Sequence, residues 1–575
     1  MSLERLRTDI LILGSGGAGL FAALHALKAN PDLEVTVATK GLLGKCGCTR
    51  MVQGGYNVAL NPGDSVERHF MDTIEGGKWL PHQELAWTLV STAVERVREL
   101  ENEIGCFFDR NPDGTLHGKA FAGQTFDCTV HKDDLTGIEI INRLMEQVWA
   151  RPVRRLEEHR AVAFIPAADG ALAGVLLIDI RTGAFRFVAA QAVLLATGGG
   201  PTMYRYHTPS GDKSMDGLAM ALRAGLLLRD MEMVQFHPTG LLAGPDTRMT
   251  GTVLEEGLRG AGGHLLNGAM HRFMGDYDKE LERATRDVVS RAIYAEMRAG
   301  RTTPNGGVYI KMGHLGPEKV AKQFKGMVER CRDCGFDLAG GLVEVVPTAH
   351  YFMGGVVCRP DTSTEWPGLF VAGEDASGMH GANRLGGNGV ANSTVFGGIA
   401  GDVMPRWISA NGGHRAPDER VLDAELARAL HPFGCKPGNL NELREKLLDT
   451  MWGEVGVVRD REGLDRGVAA LDAIEAELLV TGLADEGRAF NMTWHDWLNL
   501  RSLTEVSRVI ALAARKRENS RGAHFRSDFP EPGDLASSRF TVARQTAAGL
   551  DITDAPVAFT HVRPGETLLD KVAAE

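Results

Sequence analysis

Thr8-Asp9-Ile10-Leu11-Ile12-Leu13-Gly14-Ser15-Gly16-Gly17-Ala18-Gly19-Leu20 decides the fold of this chain. Thr8–Leu13 is a short β-branched and aliphatic run, and Gly14–Gly19 is a glycine turn of the form GxGxxG. A helical pattern over Leu20–Asn30 and a second strand over Leu33–Thr39 follow. Strand, glycine loop, helix and strand make a βαβ unit on a parallel sheet. In such a loop the glycines permit the tight turn, admit a pyrophosphate against the backbone and let helix and strand pack closely. The helix N-terminus then faces the phosphates. Alone, GxGxxG is a weak signal; lying between a strand and a helix, it reads as a dinucleotide-binding turn.

The acid that holds a ribose at the end of the second strand is missing. Val37-Ala38-Thr39-Lys40 stands there, and Glu34 comes too early. This counts against an NAD site and leaves FAD open. Two further apolar runs, Ala192–Ala196 and Gly368–Ala372, also end in polar glycine turns, Thr197-Gly198-Gly199-Gly200 and Gly373-Glu374. In open parallel sheets the ligand crevice lies beyond such strand ends.

At 575 residues the chain is too long for one compact core, so two to four domains are expected. The net charge of −11, with no long basic run, excludes nucleic acid as a natural partner. No apolar stretch approaches the ~18–20 residues that span a bilayer, so no direct membrane insertion is expected. The N-terminus, MSLERLRTDILILG, reads as the start of a folded strand rather than an export signal. The eight cysteines are scattered, a reduced, intracellular pattern. Cys331-Arg-Asp-Cys334 is a lone CxxC, and no four-cysteine spacing provides an iron–sulfur cluster. A metal site is not expected, and a cytoplasmic location is, with membrane association only through a partner subunit.

The fold class expected is α/β: a Rossmann-type FAD-binding domain with an inserted α+β capping domain and a C-terminal helical domain. The boundaries are 1–240 with 348–416 for FAD binding, 241–347 for the cap, 417–523 for the helices and 524–575 for a C-terminal extension. Arg286–Arg298 is a helix of the cap. Asp418–Leu430, Leu440–Trp452, Arg461–Thr481 and Leu498–Lys516 are helices of the third domain. The tail after Pro530, with Pro and Thr interspersed, reads as irregular.

Motifs along the chain add a family resemblance. Lys40-Gly41-Leu42-Leu43-Gly44-Lys45 and Cys48-Thr49-Arg50-Met51-Val52-Gln53-Gly54-Gly55 follow the second strand. Then come Phe121-Ala122-Gly123-Gln124, Asp134-Leu135-Thr136-Gly137, Ala196-Thr197-Gly198, His237-Pro238-Thr239-Gly240 and Glu256-Gly257-Leu258-Arg259-Gly260. Arg286-Asp287, His350-Tyr351-Phe352-Met353-Gly354-Gly355, Ala372-Gly373-Glu374, His380-Gly381-Ala382-Asn383-Arg384-Leu385-Gly386-Gly387-Asn388 and Ser520-Arg521-Gly522-Ala523-His524 complete the series. In this order they resemble the flavoprotein subunits of succinate dehydrogenase and fumarate reductase, a superfamily that includes L-aspartate oxidase and adenylylsulfate reductase.

The resemblance implies FAD and hydride transfer between flavin N5 and a small (di)carboxylate. For the cofactor it implies Gly14, Ser15, Gly16, Gly17, Ala18, Gly19, Thr39, Lys40, Cys48, Thr49, Gln53, Gly54, Gly55, Ala196, Thr197, Gly198, Glu374, Arg384, Asn388, Gly389 and Val390. His237, His350 and Arg384 match the family's carboxylate binders, and Phe121 an apolar wall. Arg suits the task because its fork meets a carboxylate in a bidentate way. Arg286 matches the proton donor, with Glu256 and Arg259 as its relay. An Arg with a pKa above ~12 is a poor general acid alone, which is why a relay is needed.

Two positions depart from the pattern. The family's covalent flavin link is a His where this chain has Cys48, so dissociable FAD is expected. Its absence favours the reductase direction, or another donor as in aspartate oxidase. The family's Thr before the relay Glu is here Glu255, placed among the substrate-binding positions. A second carboxylate there repels a substrate carboxylate unless it is protonated, turned away, or paired with a cationic group; an Arg partner within the protein is an equal reading. Two alternatives stand beside the fumarate reductase reading: an L-aspartate-oxidase-like amino-acid oxidase, and an electron-transfer subunit working with an iron–sulfur protein.

Overall fold

The computed structural model describes residues 3–244 and 247–569. Residues 245–246 of the expected cap and 570–575 of the expected extension lie outside the described residues. The chain opens with β1 (Leu3–Leu13), α1 (Gly17–Ala29) and β2 (Val35–Thr39). Glu34, just before β2, is exposed and at the far end of the strand from the glycine loop.

β1 lies at the centre of a seven-stranded sheet, parallel to β2 on one side and to the strand Phe185–Leu195 on the other. The strand Leu369–Val371 is also parallel to Phe185–Leu195. Register sets the position of the site. Leu13 is level with both Ala38 and Leu195, and Leu195 is level with Val371. Four strands therefore stop at one height, and the loops after them converge on one crevice. α1 is buried along most of its length between the sheet and the long helix Asn388–Asn411.

The sheet is mixed rather than wholly parallel. His159–Pro166 and Leu172–Asp179 form a hairpin added antiparallel to Phe185–Leu195. Asp169-Gly170 makes its turn, with Gly170 at φ +80°.

Antiparallel strands Val234–Leu241 and Leu342–Phe352 run from this body into a second hydrophobic core, which gathers side chains between Leu241 and Val345. The helix Arg286–Arg298 packs there as its sequence pattern requires. Further on, the helices Glu419–Leu430, Leu440–Gly453, Arg461–Val480 and Met492–Lys516 each begin at an Asx cap. The side chains of Asp418, Asn439, Asp460 and Asn491 accept from backbone N–H groups of the first turn. No helix among the described residues is long and apolar enough to cross a membrane.

The tail corrects the sequence reading. It is not irregular: Arg539–Thr546 and Gly549–Pro556 form a hairpin that pairs with Leu228–Arg229. Period-two alternation there is hidden by a buried Thr541 and by the adjacent exposed pair Thr553 and Asp554. What anchors the hairpin is a buried charge cluster. Arg517 donates to Asp230 Oδ1 (3.1 Å), Glu232 Oε1 (2.5 Å) and Thr541 Oγ1 (2.9 Å). Arg517→Met strands two buried carboxylates, so the urea unfolding free energy is expected to fall by about 3–5 kcal/mol. A loss below about 1 kcal/mol, the level of an exposed ion pair, would show that the tail is anchored elsewhere.

Candidate active site

A cavity of about 470 Å³ opens where the four strands stop. Gly14 sits at φ +112°, and a Cβ on it would stand 2.1 Å from Ala196 O. Gly19 is equally confined, since a Cβ would lie 2.0 Å from Gly14 O. Bare backbone thus faces the cavity, and the N-cap residue of α1, Gly16, has no side chain to cap the helix. Gly17 N–H donates to Thr49 Oγ1 at 3.0 Å, which pins the Cys48–Met51 turn over the loop.

The neighbouring loops are held by buried acids. Asp375 accepts from Thr197 Oγ1 (3.0 Å) and Gly198 N–H (2.8 Å), and burial pushes its carboxyl up to about 6. Glu374 accepts from Phe352 N–H (2.9 Å) and is pushed up to about 7 by burial. Lys40 Nζ donates to Asp216 Oδ2 (3.0 Å) and Ser214 Oγ (2.8 Å). Cys48 lines the cavity, and burial pushes its thiol up to about 12, so it is a thiol at neutral pH.

A second part of the cavity is walled by the strands that lead into the cap. His237 and His350 lie on adjacent strands with ring centroids 5.3 Å apart. Burial, with the nearby Arg286 guanidinium, holds both well below the usual His range, so they are neutral. Thr239 N–H donates to His237 Nδ1 (3.3 Å), and His350 Nδ1 is bonded to Thr208 Oγ1 (2.9 Å). Each ring therefore keeps Nε2 as its free nitrogen.

Arg286 donates through Nε (2.8 Å) and Nη2 (2.6 Å) to Glu256 Oε2, and through Nη1 to Gln235 Oε1 (3.1 Å). Arg259 Nη2 stands 3.4 Å from Glu256 Oε1. Burial alone would raise the Glu256 carboxyl, but Arg286 and Arg259 outweigh it and hold it below its ordinary value. Arg384 lies over the Tyr351 ring at 4.4 Å. It is 6 % exposed, has no carboxylate partner among the described residues, and its Nε is buried without a hydrogen bond. Burial and then the like charge of Arg286 lower its pKa to about 10. A buried guanidinium facing a cavity without a counter-charge is a site for an anion.

Nearly all the residues singled out in the sequence come to this one cavity. Phe121, His237, Glu255, Glu256, Arg286, His350 and Arg384 line it, as do Gly14, Ser15, Gly16, Gly17, Ala18, Thr39, Lys40, Cys48, Thr49, Gln53, Gly54, Gly55, Ala196, Thr197, Gly198, Glu374, Gly389 and Val390. Gly19, Arg259 and Asn388 do not line it. Gly19 packs against Gly14, and Arg259 lies behind Glu256, donating to Glu282 O (2.7 Å). Asn388 turns inward to Asn57 (2.9 Å), Thr73 (3.1 Å) and His69 (2.9 Å). Burial pushes Glu255 up, against the pull of Lys119, whose Nζ is 3.7 Å from Oε2. Sequence reasoning missed Thr208, Lys213, Ser393 and Arg330, all of which line the cavity. Thr208 and Lys213 lie on loops and Arg330 and Ser393 within helices, where no periodicity marks a single polar residue.

Comparison with known proteins agrees with this geometry. Residues 9–390 match the FAD binding domain family, and residues 444–568 match the fumarate reductase flavoprotein C-terminal family. The chain belongs to the fumarate reductase flavoprotein family. A fumarate reductase (CoM/CoB) subunit of Methanothermobacter marburgensis is 38 % identical over 92 % of this chain and 96 % of its own. The fumarate reductase flavoprotein subunit of Escherichia coli is 33 % identical over 95 % and 93 %. A solved E. coli quinol fumarate reductase chain superposes with a TM-score of 0.92 at 31 % identity, covering 98 % of this chain and 99 % of that one. Adenylylsulfate reductase of Archaeoglobus fulgidus, at 17 % identity and a TM-score of 0.78, shares the fold.

The chain is thus an FAD-dependent oxidoreductase of the fumarate reductase/succinate dehydrogenase type. Its residues fit FAD. The glycine loop and the start of α1 present backbone to a pyrophosphate, while Lys213 and Glu374 stand along the cavity beyond. Gly14→Val puts a side chain into the Ala196 carbonyl at a backbone angle that costs about 1–3 kcal/mol. FAD retention is expected to weaken by about 10–100-fold, read as flavin absorbance per protein after dialysis. Full flavin content would contradict this cradle.

Proposed function

We propose that this flavoprotein reduces the C=C bond of a small unsaturated (di)carboxylate, with Arg286 as proton donor. The observation that carries the reading is the buried, unpaired Arg384 beside two neutral histidines and an Arg286–Glu256–Arg259 chain. FAD, when bound, supplies the two electrons as a hydride. Arg384 seats a substrate carboxylate, His237, whose Nδ1 accepts from Thr239 N–H, offers an Nε2–H donor to it, and His350 presents its Nε2 beside it. Polarising that carboxylate draws charge away from the neighbouring double bond and stabilises what builds up there as hydride arrives.

One carbon receives the hydride; the other receives a proton from Arg286. Glu256, 2.6 Å from Arg286 and 3.4 Å from Arg259, then passes a replacement proton along the chain. The sum is two electrons and two protons added across one C=C bond. Phe121 closes the cavity beside the substrate as an apolar wall.

The FAD is held without a covalent bond, since the half-buried Cys48 stays a thiol at neutral pH and is a poor nucleophile. The chain works in the cytoplasm, and its electron partner is an iron–sulfur protein subunit. The relatives are named as subunits, and this chain carries no four-cysteine cluster motif of its own; both support that arrangement.

Holoprotein given reduced viologen and small trans-2-enoates, fumarate included, is expected to oxidise the viologen. Arg286→Gln should lower kcat by about 10²–10⁴-fold while flavin content stays constant. Peroxide formed from aspartate and oxygen, with no enoate turned over, would overturn this reading in favour of an amino-acid oxidase.

A further inference from the structure

Glu255 lines the same cavity and takes no part in the chemistry above. It is 3 % exposed, and its Oε2 is buried with no hydrogen-bond partner among the described residues. Lys119 Nζ stands 3.7 Å from that oxygen, beyond hydrogen-bond reach, and donates instead to Asp133 O at 2.7 Å. Arg330, on the helix Lys325–Asp333, donates to Val253 O at 3.0 Å. A carboxylate oxygen left bare in a cavity wall is costly unless a ligand satisfies it.

The charged groups around Glu255 are Lys119, Asp134 and Arg330. Those around His237 and His350 are Arg286, Arg384 and, for His237, Arg259. The charges that weigh most on Glu255 thus differ from those that weigh most on the two histidines. With Glu255 ionised, two cations there face two acids and the wall is neutral. A second substrate carboxylate would add a buried negative charge with no cation of its own. A hydrogen-bond donor would complete Glu255 and leave the balance intact.

We propose that Glu255 sets substrate choice: the substrate carries one carboxylate, seated at Arg384, and at its other end a hydrogen-bond donor that Glu255 accepts. The donor is an uncharged one, an amide N–H or a hydroxyl. This rests on the reading of the cavity as a site for unsaturated carboxylates.

The test compares fumarate with its monoamide, fumaramate, which has the same length and double bond but ends in an N–H donor. With holoprotein and reduced viologen at neutral pH, the monoamide is expected to be favoured in kcat/KM by about 10–100-fold, the worth of one hydrogen bond to a charged group. Glu255→Thr should erase or reverse that preference; Glu255→Gln, a nearly isosteric second variant, should do the same. Flavin absorbance titrations give the binding preference independently of turnover, and flavin content reports whether each variant is folded.

Preference for fumarate in the wild type, with KM climbing as pH rises, would overturn the proposal, because a protonated Glu255 would then be donating to the second carboxylate. An unchanged preference in both variants would overturn it too. Turnover and binding of neither compound would overturn the reading of the site itself along with it.

Discussion

One carboxylate, Glu256, lies among three buried guanidiniums, and much of the cavity's chemistry follows from that imbalance. Arg286 donates both of its close bonds to Glu256, and Arg259 approaches the other oxygen at 3.4 Å. Arg384 is left with the Tyr351 ring and the carbonyl of Leu385. Holding such a charge out of water costs several kcal/mol, which cation–π contact with Tyr351 offsets by roughly 2 kcal/mol at most. The protein bears that cost because two rigid elements converge on the position. Arg384 precedes the long helix Asn388–Asn411, and Tyr351 is on the strand that also presents His350. A bound carboxylate supplies the missing charge, so substrate binding completes an electrostatic arrangement the fold has already prepared.

The architecture divides the work. Four strand ends at one height make the dinucleotide cradle, and it rests on backbone geometry: Gly14 under Ala196, Gly19 against Gly14. The chemistry sits where strands Val234–Leu241 and Leu342–Phe352 leave that sheet for the second core. His237 and His350 meet there because the two strands pair, although their positions are more than a hundred residues apart. Arg286 comes from the first turn of the capping helix and reaches the same space.

Much of this was legible in the sequence, and for physical reasons. The glycine loop announces itself because only Gly fits between touching backbones. Three of the four C-terminal helices fall within a residue of their expected bounds because their Asx caps and apolar spacing coincide, whereas the fourth begins at Met492, six residues before the expected Leu498. The tail hairpin did not, since its stability comes from a remote partner strand and from Arg517, neither visible locally. The added hairpin that makes the sheet mixed escaped for a like reason: apolar runs buried on both faces look alike whichever direction they pair. Asn388 belongs to the long glycine-rich motif yet faces inward, because a helix start offers its side chains to two sides and sequence does not say which. Lys213 and Arg330 were missed because a single cation on a loop or helix carries no periodic signal.

Arg384→Met tests the central claim most directly, because it removes the uncompensated charge and keeps a side chain of similar length. The measurement is the dissociation constant of a small unsaturated carboxylate, followed by the flavin absorbance change in holoprotein. If substrate completes the charge balance at Arg384, binding weakens by about 100-fold or more while the flavin spectrum without ligand stays as in the wild type. Equal affinity in the variant and the wild type would mean that the carboxylate sits elsewhere, and the account of this cavity would be wrong.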